Sequence, residues 1–578
     1  MANSQKITAS EAFVEALVAE DVDIVFGLVG SAFMDPLDLF PAAGIRFIPV
    51  RHEQNAALMA EGYARASGKI GVCVGQNGPG VTNLVTGVAA AYLNHTPVVV
   101  ITPSVTSASE GRRAIQEIDQ MPLFAPIVND QIRLNRPDRM SWAMHNVFRS
   151  AATLRGPAQI DIPRDFWYGE FEEVPLTREA YRVERAGTGA ARADVAKAAE
   201  VLRNAKNPVI LAGLGVVEAD ASADVAALAE RLGAPVAAVY LHNDAFPASH
   251  ELSVGPIGYQ GSKAAMRLIS EADVVLALGT RLNEFGTIAQ YDFDYFPQNA
   301  KLIHNEIDPL NLGRLRAIEV GLVGDAGAVV GQLLEAIPHG PDVQIVADRR
   351  ARIAAEKKKW VEELRALSAS DDADPIDPRR ALREVTSALP ADSVVATDVG
   401  NVCGTANGYL EFESGRRFLS AGTLGGIGVA YSTALGAKLA CPDKPVLSFS
   451  GDGAWSMTIQ ETMTAVTENI PVVAVVFDNA IYGAEQRNQV DYFDRRLFFT
   501  NLDNPDFAQI ARDMGAVGIS VNEPSAIAPA ITEAIESERP AVVQIRVNGD
   551  KLSEPYRRDA FRFPTRYLPK YGGAAPHA

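Results

Sequence analysis

The sequence predicts an α/β chain of three doubly wound parallel-sheet domains. Three observations point there. Short Val/Ile/Leu runs recur, as in "DIVFGLVG", "KIGVCVGQNGPG", "TPVVVITPS", "NPVILAGLGV", "ADVVLALGT", "SVVATDVGN", "PVLSFSGDG" and "PVVAVVFDN". Continuous apolar runs of this length suit strands buried on both faces. Most lead through a glycine turn into a helical stretch, the alternation that builds parallel sheets with right-handed crossovers. The length, 578 residues, also exceeds what one core can organise.

Two polar seams divide the chain. Segment 171–194 is charged and Gly/Ala-rich, and segment 356–380 is a polar helix followed by an acidic, Pro-containing linker. They predict domains over 1–185, 190–345 and 372–550, with a tail over 551–578. The 53 Lys and Arg against 71 Asp and Glu leave a net charge of −18. That balance disfavours nucleic acid and anionic membranes as partners. Mean hydropathy is close to zero, and no apolar run reaches the roughly 18 residues of a membrane span. The polar start "MANSQKITASEAFVEAL" leads into a helix and lacks the form of a signal peptide. Cys73, Cys403 and Cys441 are odd in number and far apart, with no CxxC pattern. A cytoplasmic protein is expected.

In the first domain, "FIPVRHEQNAALMAEGYARASGK" reads as a strand followed by a helix that Glu53 opens. By itself Glu53 reads first as a helix-start carboxylate stabilised by the dipole. "QNGPGVTN" (76–83) is a tight glycine turn. In the second domain, "LAGLGVV" and "HNEIDP" sit in a Rossmann-like setting, but the glycine fingerprint is incomplete.

The third domain carries the most pointed pattern. "SFSGDGAWSMTIQETMTAVTENIPVVAVVFDN" (448–479) ends one apolar strand in Gly451-Asp452-Gly453 and the next in Asp478-Asn479. The intervening length suits one helical crossover, so Asp452 and Asn479 should lie on neighbouring strand ends. A carboxylate, an amide oxygen and a backbone carbonyl are hard ligands that suit Mg2+, which also takes water and phosphate oxygens. A helix starting near Ala454 would point its N-terminus at the same place. Gly-Asp-Gly alone is equally an αβ turn with Asp452 as the cap; the spacing to Asn479 separates the two.

This stretch resembles the diphosphate-binding motif of thiamine-diphosphate enzymes, in which GDG is followed after about one crossover by NN. The first Asn of that pair is Asp478 here, while the metal-ligating position is the intact Asn479. The resemblance covers essentially the whole chain. It implies a pyrimidine-binding first domain, a central Rossmann-like domain and a diphosphate-binding third domain. Thiamine diphosphate and Mg2+ are the implied cofactors, with Asp452, Asn479 and the Ile481 carbonyl on the metal. Glu53 is then the carboxylate set against the aminopyrimidine ring. "SAGTLGGIGVAYSTALGAK" (420–438) supplies Gly425 and the wedge Ile427; "TDVGNVCGTANG" (397–408) supplies Gly400 and Asn401. Gly451, Gly453 and Ala454 complete the cofactor set. Gln76 and Asn77 are placed over the active site. The central domain of such enzymes binds FAD, ADP or nothing. A homodimer or homotetramer is implied, with the cofactor between the first domain of one chain and the third of another.

Within that superfamily, "GSAFM", "YLNHTP", "QEIDQMPLF", "GNVCGTANGYLEF", "GAEQRNQVDYFDRR" and "EPYRRDA" resemble the sulfoacetaldehyde acetyltransferase family. This implies conversion of sulfoacetaldehyde and phosphate to acetyl phosphate and sulfite, as in sulfonate degradation and taurine catabolism. Both substrates are anions, and Arg forks suit tetrahedral oxyanions. The candidates are Arg112, Arg113, Arg487, Arg557 and Arg558. His95 is a candidate proton relay or a packing residue, and Gln116 and Glu117 are expected near the site. Ile481-Tyr482, the run 111–115 and Ile427 depart from the pattern at substrate-facing positions. The alternative is a 2-oxo-acid decarboxylase or carboligase of the acetolactate synthase type, which releases CO2 and needs no phosphate.

Overall fold

A computed structural model describes residues 5–173, 176–182, 187–371, 374–551, 553, 568 and 570. It contains three six-stranded sheets, each parallel throughout, and one two-stranded antiparallel ribbon joining Gln5–Thr8 to Glu170–Glu173. Most strand residues in the three sheets are buried on both faces, as the unbroken apolar runs require.

The first sheet runs Arg46–Pro49, Ile24–Gly27, Gly71–Val74, Val98–Ser104, Ala158–Pro163, Asp130–Arg133. The third runs Phe418–Ser420, Val394–Thr397, Val446–Gly451, Val473–Asp478, Ala541–Arg546, Val517–Val521. Counting strands within each sheet, both have the order 2-1-3-4-6-5. The middle sheet, from Pro208–Ala212 to Val320–Val323, has the order 3-2-1-4-5-6 of dinucleotide-binding folds. In open sheets of this kind, ligands bind at strand C-termini where neighbouring connections diverge. For the outer sheets that point lies between their first and third strands. It falls at Gly75-Gln76 in one and at Asp398 and Asp452 in the other.

The first and third domains share a core. Ala56, Met59 and Ala60 of helix Glu53–Ser67 pack with Ala430, Tyr431 and Ala434 of helix Ala430–Ala440. Glycine permits this crossing: a Cβ on Gly62 would stand 2.1 Å from the Thr433 carbonyl, and one on Gly436 would stand 1.9 Å from that of Met59. All three domains meet at Glu218, whose carboxylate pairs with Arg155 of the first domain and with Arg416 of the third at 2.9 Å. Among the described residues, no helix is long and apolar enough to cross a membrane.

One local expectation changes. The residues after Gly451 do not run on as a single helix. Asp452–Trp455 makes one turn, and a separate helix covers Glu461–Glu468. The Ser456 hydroxyl donates to the Asp452 carbonyl, and Trp455 is drawn wholly into the core against Tyr431. The chain therefore bends where a surface helix would have continued.

Candidate active site

Gly451 pairs with Phe477 in the third sheet, so the strands end side by side at Asp452 and Asp478. Asp452 is buried. One of its oxygens accepts from the Gly453 amide at 3.0 Å, the other from Asn504 Nδ2 at 2.6 Å. The same Asn504 nitrogen donates to Asp478 Oδ1 at 2.9 Å, and Gln544 Nε2 donates to Asp478 Oδ2 at 2.8 Å. Burial, and then the Asp478 charge, push the Asp452 carboxyl up to about 7. Asn479 and Asn401 converge on Gly483, where an added Cβ would meet Asn401 Nδ2 at 3.0 Å and Asn479 Nδ2 at 3.4 Å. Ile481 follows immediately, its amide donating to Asn479 Oδ1 at 3.2 Å.

The neighbouring strand end carries Asp398. Its carboxylate accepts from four backbone amides: Val399 and Gly428 at 2.9 Å, and Val429 and Ala430 at 3.0 Å. Burial against those four donors leaves the carboxyl raised to about 6. Asp398 thus anchors the far end of the loop that holds Gly425 and half-buried Ile427, at the point where it enters helix Ala430–Ala440.

In the first domain, Glu53 is the first residue of its helix and is buried. Its Oε2 accepts from Asn83 Nδ2 at 2.9 Å. Gly80 lies against it; a Cβ there would be 2.9 Å from Glu53 Oε1 and 3.2 Å from Gln76 Cβ. Gln76 accepts from the Ala32 amide at 3.0 Å and donates to Asn77 Oδ1 at 2.7 Å and Gln116 Oε1 at 3.0 Å. Gln116 has φ 63°, and its carbonyl crowds Gly78, itself at φ 70°. Gln120 ties this turn down, accepting from the Gly78 amide at 2.9 Å and donating to buried Asp161 at 2.7 Å. Glu53, Gln76, Asn77 and Gln116 therefore form one cluster. Asn83, Gln120, Asp398 and Asn504 belong with these groups and were not singled out from the sequence.

Other expected residues lie elsewhere. His95 follows the C-terminal end of helix Pro79–Leu93, whose opposite end faces Glu53, roughly 20 Å away at the rise of an α-helix. Burial, together with Arg281 and Arg155, lowers its pKa to about 4, so it is neutral beside the central domain. Glu117 accepts from the Gly111 and Ala114 amides, which hold its carboxyl below the usual range and tether the 111–117 loop. Arg112 and Arg113 are exposed on that loop. Arg487 is bound to Asp491 at 2.7 Å, one turn along its own helix. Arg557 and Arg558 lie outside the described residues. In the central domain, Gly213 and Gly215 pack directly on the Gly279 backbone, so their missing side chains serve chain packing.

The residues present fit thiamine diphosphate and a hard cation. Among the described residues, a Cβ added at Gly400, Gly425 or Gly451 would meet nothing within 4 Å, leaving room beside all three. Asn401 Oδ1, next to Gly400, is buried with no hydrogen-bond partner among the described residues. Burial and the neighbouring Asp478 carboxylate resist ionisation of Asp452, which a cation would relieve. Asp452, the Asn479 amide and the Ile481 carbonyl are oxygen ligands of the kind Mg2+ prefers.

Family comparison agrees with the geometry. Residues 7–123 match the N-terminal TPP binding domain of thiamine pyrophosphate enzymes, 195–333 their central domain, and 398–545 their C-terminal TPP binding domain. The chain is 46% identical to the sulfoacetaldehyde acetyltransferase of Castellaniella defragrans, over 98% of this chain and 97% of that one. It is 40% identical to that of Rhodobacter capsulatus, over 97% of both. The acetolactate synthase large subunit of Corynebacterium glutamicum is similar at 33% identity, over 94% of this chain and 88% of its own.

Proposed function

The chain belongs to the thiamine pyrophosphate enzyme family, and from that premise we propose that it is an acyltransferase converting sulfoacetaldehyde and phosphate to acetyl phosphate and sulfite. The observation that carries this reading is likeness at 40–46% identity over nearly the full length to proteins named for this reaction, against 33–35% for the acetolactate synthases. The overall reaction balances without an oxidant. The carbon–sulfur bond breaks with its electron pair on sulfite, the aldehyde carbon becomes an acyl carbon, and phosphate oxygen takes that carbon.

Thiamine diphosphate, when bound, would supply a nucleophilic carbon and an electron sink for the aldehyde. The protein's part is to bind, orient and move protons. Asp452, Asn479 and the Ile481 carbonyl would hold Mg2+, and Gly400 and Asn401 would lie against the diphosphate. Gly425 and Ile427 would orient the cofactor, on a loop that Asp398 anchors. Glu53 exchanges a proton with the pyrimidine ring, its carboxylate oriented by Asn83. Gln76, Asn77 and Gln116 present amides to the substrate oxygen.

Arg557 and Arg558 receive the acceptor phosphate. The described chain supports this: the Ser553 hydroxyl lies 3.1 Å from that of Thr405, whose own hydroxyl donates to the Asn401 carbonyl. Four residues of chain reach at most about 14 Å from there. Arg112, Arg113 and Arg487 are the rival anion site. The protein works as at least a dimer, a tetramer in its family's habit, in the cytoplasm and in sulfonate degradation. Ile115 at 90% exposure and Phe499 at 96% are apolar surfaces that a second copy would cover.

The test offers purified holoenzyme either sulfoacetaldehyde or pyruvate. Sulfite from the first and no CO2 from the second supports the reading; CO2 without sulfite replaces it with the acetolactate-synthase-type reaction.

A further inference from the structure

Glu461 is fully buried at the start of helix Glu461–Glu468, nine residues beyond Asp452 in the third domain. Its carboxylate nevertheless reaches into the first domain. Oε1 accepts from the Arg51 amide at 3.0 Å, the His52 amide at 3.1 Å and Asn55 Nδ2 at 2.8 Å. Oε2 accepts from the Arg51 amide at 3.2 Å and from the Thr464 hydroxyl at 2.7 Å. Asn55 is held a second time, by the Ser432 hydroxyl at 2.9 Å.

The two amides held are those of the residues immediately before Glu53. The backbone torsions there determine where a helix-opening side chain points. His52 is the N-cap, with extended backbone at φ −152°, and its ring accepts from Gln54. A buried carboxyl group is a poor way merely to join two domains, since apolar residues of similar volume do so at lower desolvation cost. Its partners make sense if the orientation of that one turn is what matters.

We propose that Glu461 is a positioning residue for Glu53: its carboxylate fixes the turn from Arg51 to Asn55, and so the direction in which Glu53 faces the cofactor ring. The inference rests on the reading of Glu53 given above. It extends that reading by making the third domain of a chain responsible for the geometry of the same chain's first-domain acid.

Two substitutions separate reach from charge. Glu461→Asp keeps the charge but withdraws the carboxylate by one carbon–carbon bond, about 1.5 Å. Glu461→Gln keeps an oxygen where Oε1 stands, and its amide can donate to Thr464. Each variant, wild type and Glu53→Gln are loaded with thiamine diphosphate and Mg2+ in deuterated water. The readouts are exchange of the cofactor's C2 proton by quenched NMR and cofactor affinity by titration of the apoprotein. Because displacing a reacting group by about 1 Å costs on the order of 100-fold, Glu461→Asp should slow exchange about 10- to 100-fold with cofactor Kd within about threefold, while Glu461→Gln keeps most of the rate. Wild-type exchange in Glu461→Asp, with exchange abolished in Glu53→Gln, overturns the positioning role and leaves Glu53 in place. A large loss in Glu461→Gln with exchange kept in Glu461→Asp overturns it in favour of charge. A fall in cofactor affinity matching the fall in exchange overturns it in favour of a structural role. Normal exchange in Glu53→Gln overturns the reading of Glu53 itself, and this inference with it.

Discussion

Replacing Gly436 with Ala tests how tightly the first and third domains are bound to one another. A Cβ at Gly436 would lie 1.9 Å from the Met59 carbonyl oxygen, and the obstacle is backbone that no rotamer change can move. Helices Ala430–Ala440 and Glu53–Ser67 must therefore part by about 1.5 Å to restore ordinary contact. Overpacking of this kind costs about 1–3 kcal/mol, against a gain of about 0.8–1 kcal/mol from Ala in a helix. The net loss should be up to about 2 kcal/mol, or up to roughly 8 °C for a domain of this size, and about 1–3 kcal/mol against a glycine whose Ala variant keeps the helix gain without the clash. The parting also moves the helix that Glu53 opens, and a 1 Å displacement can lower turnover by up to about 100-fold. Gly331→Ala is the matched control: it too is mid-helix, in Ala326–Ala336, but its Cβ would meet nothing within 4 Å. Thermal unfolding by circular dichroism and initial-rate kinetics on both variants give the answer. If Gly436→Ala melts and turns over like Gly331→Ala, the close crossing is not what holds Glu53 in register.

Glu53→Gln should retain fold and cofactor binding while steady-state turnover falls roughly 10²–10⁴-fold; near-normal turnover removes Glu53 from the reaction. Asp452→Ala should abolish cofactor binding at ordinary Mg2+ concentrations, read by isothermal titration, and wild-type affinity would dismiss the metal site. Replacing both Arg557 and Arg558 with Ala should raise the phosphate KM about tenfold to a hundredfold per lost contact, as charge-assisted bonds worth about 1.5–3 kcal/mol require, with the aldehyde KM nearly unchanged. An equal loss for both substrates would assign the arginines to the sulfonate or to the fold. His95 is lowered to about 4. The unfolded chain therefore binds the extra proton between about pH 6.5 and 4, and stability must fall as pH drops through that window. His95→Gln should flatten that part of the profile of unfolding midpoint against pH, and an unchanged slope would place the histidine in water.

The fold was legible where burial is continuous. Unbroken apolar runs in all three domains announced doubly buried strands, and the turn after each marked a strand end. The shared 2-1-3-4-6-5 order of the outer sheets was not, because crossovers decide which strands become neighbours. Asp452 and Asn479 could be paired from sequence since one crossover separates them. Asn504 could not: it bridges Asp452 and Asp478 from a loop with no motif of its own. Glu461 reaches a turn some four hundred residues away, a relation no local pattern encodes. Asp398 stood inside the quoted segment "TDVGN", where a carboxylate just before a helix start was the available signal. His95 shows the reverse limit: its neighbourhood in the sequence resembles the family, while the helix before it carries it away from Glu53.

The central claim is acyl transfer from a sulfonated aldehyde to phosphate, and one measurement addresses it directly. Purified protein with thiamine diphosphate and Mg2+ is given sulfoacetaldehyde and varied phosphate. Acetyl phosphate is followed by phosphorus NMR and sulfite by thiol-exchange colorimetry in the same samples. The account predicts equimolar sulfite and acetyl phosphate, with acetyl phosphate saturating in phosphate and absent without it. Sulfite with no acetyl phosphate at any phosphate concentration, or neither product, would contradict it.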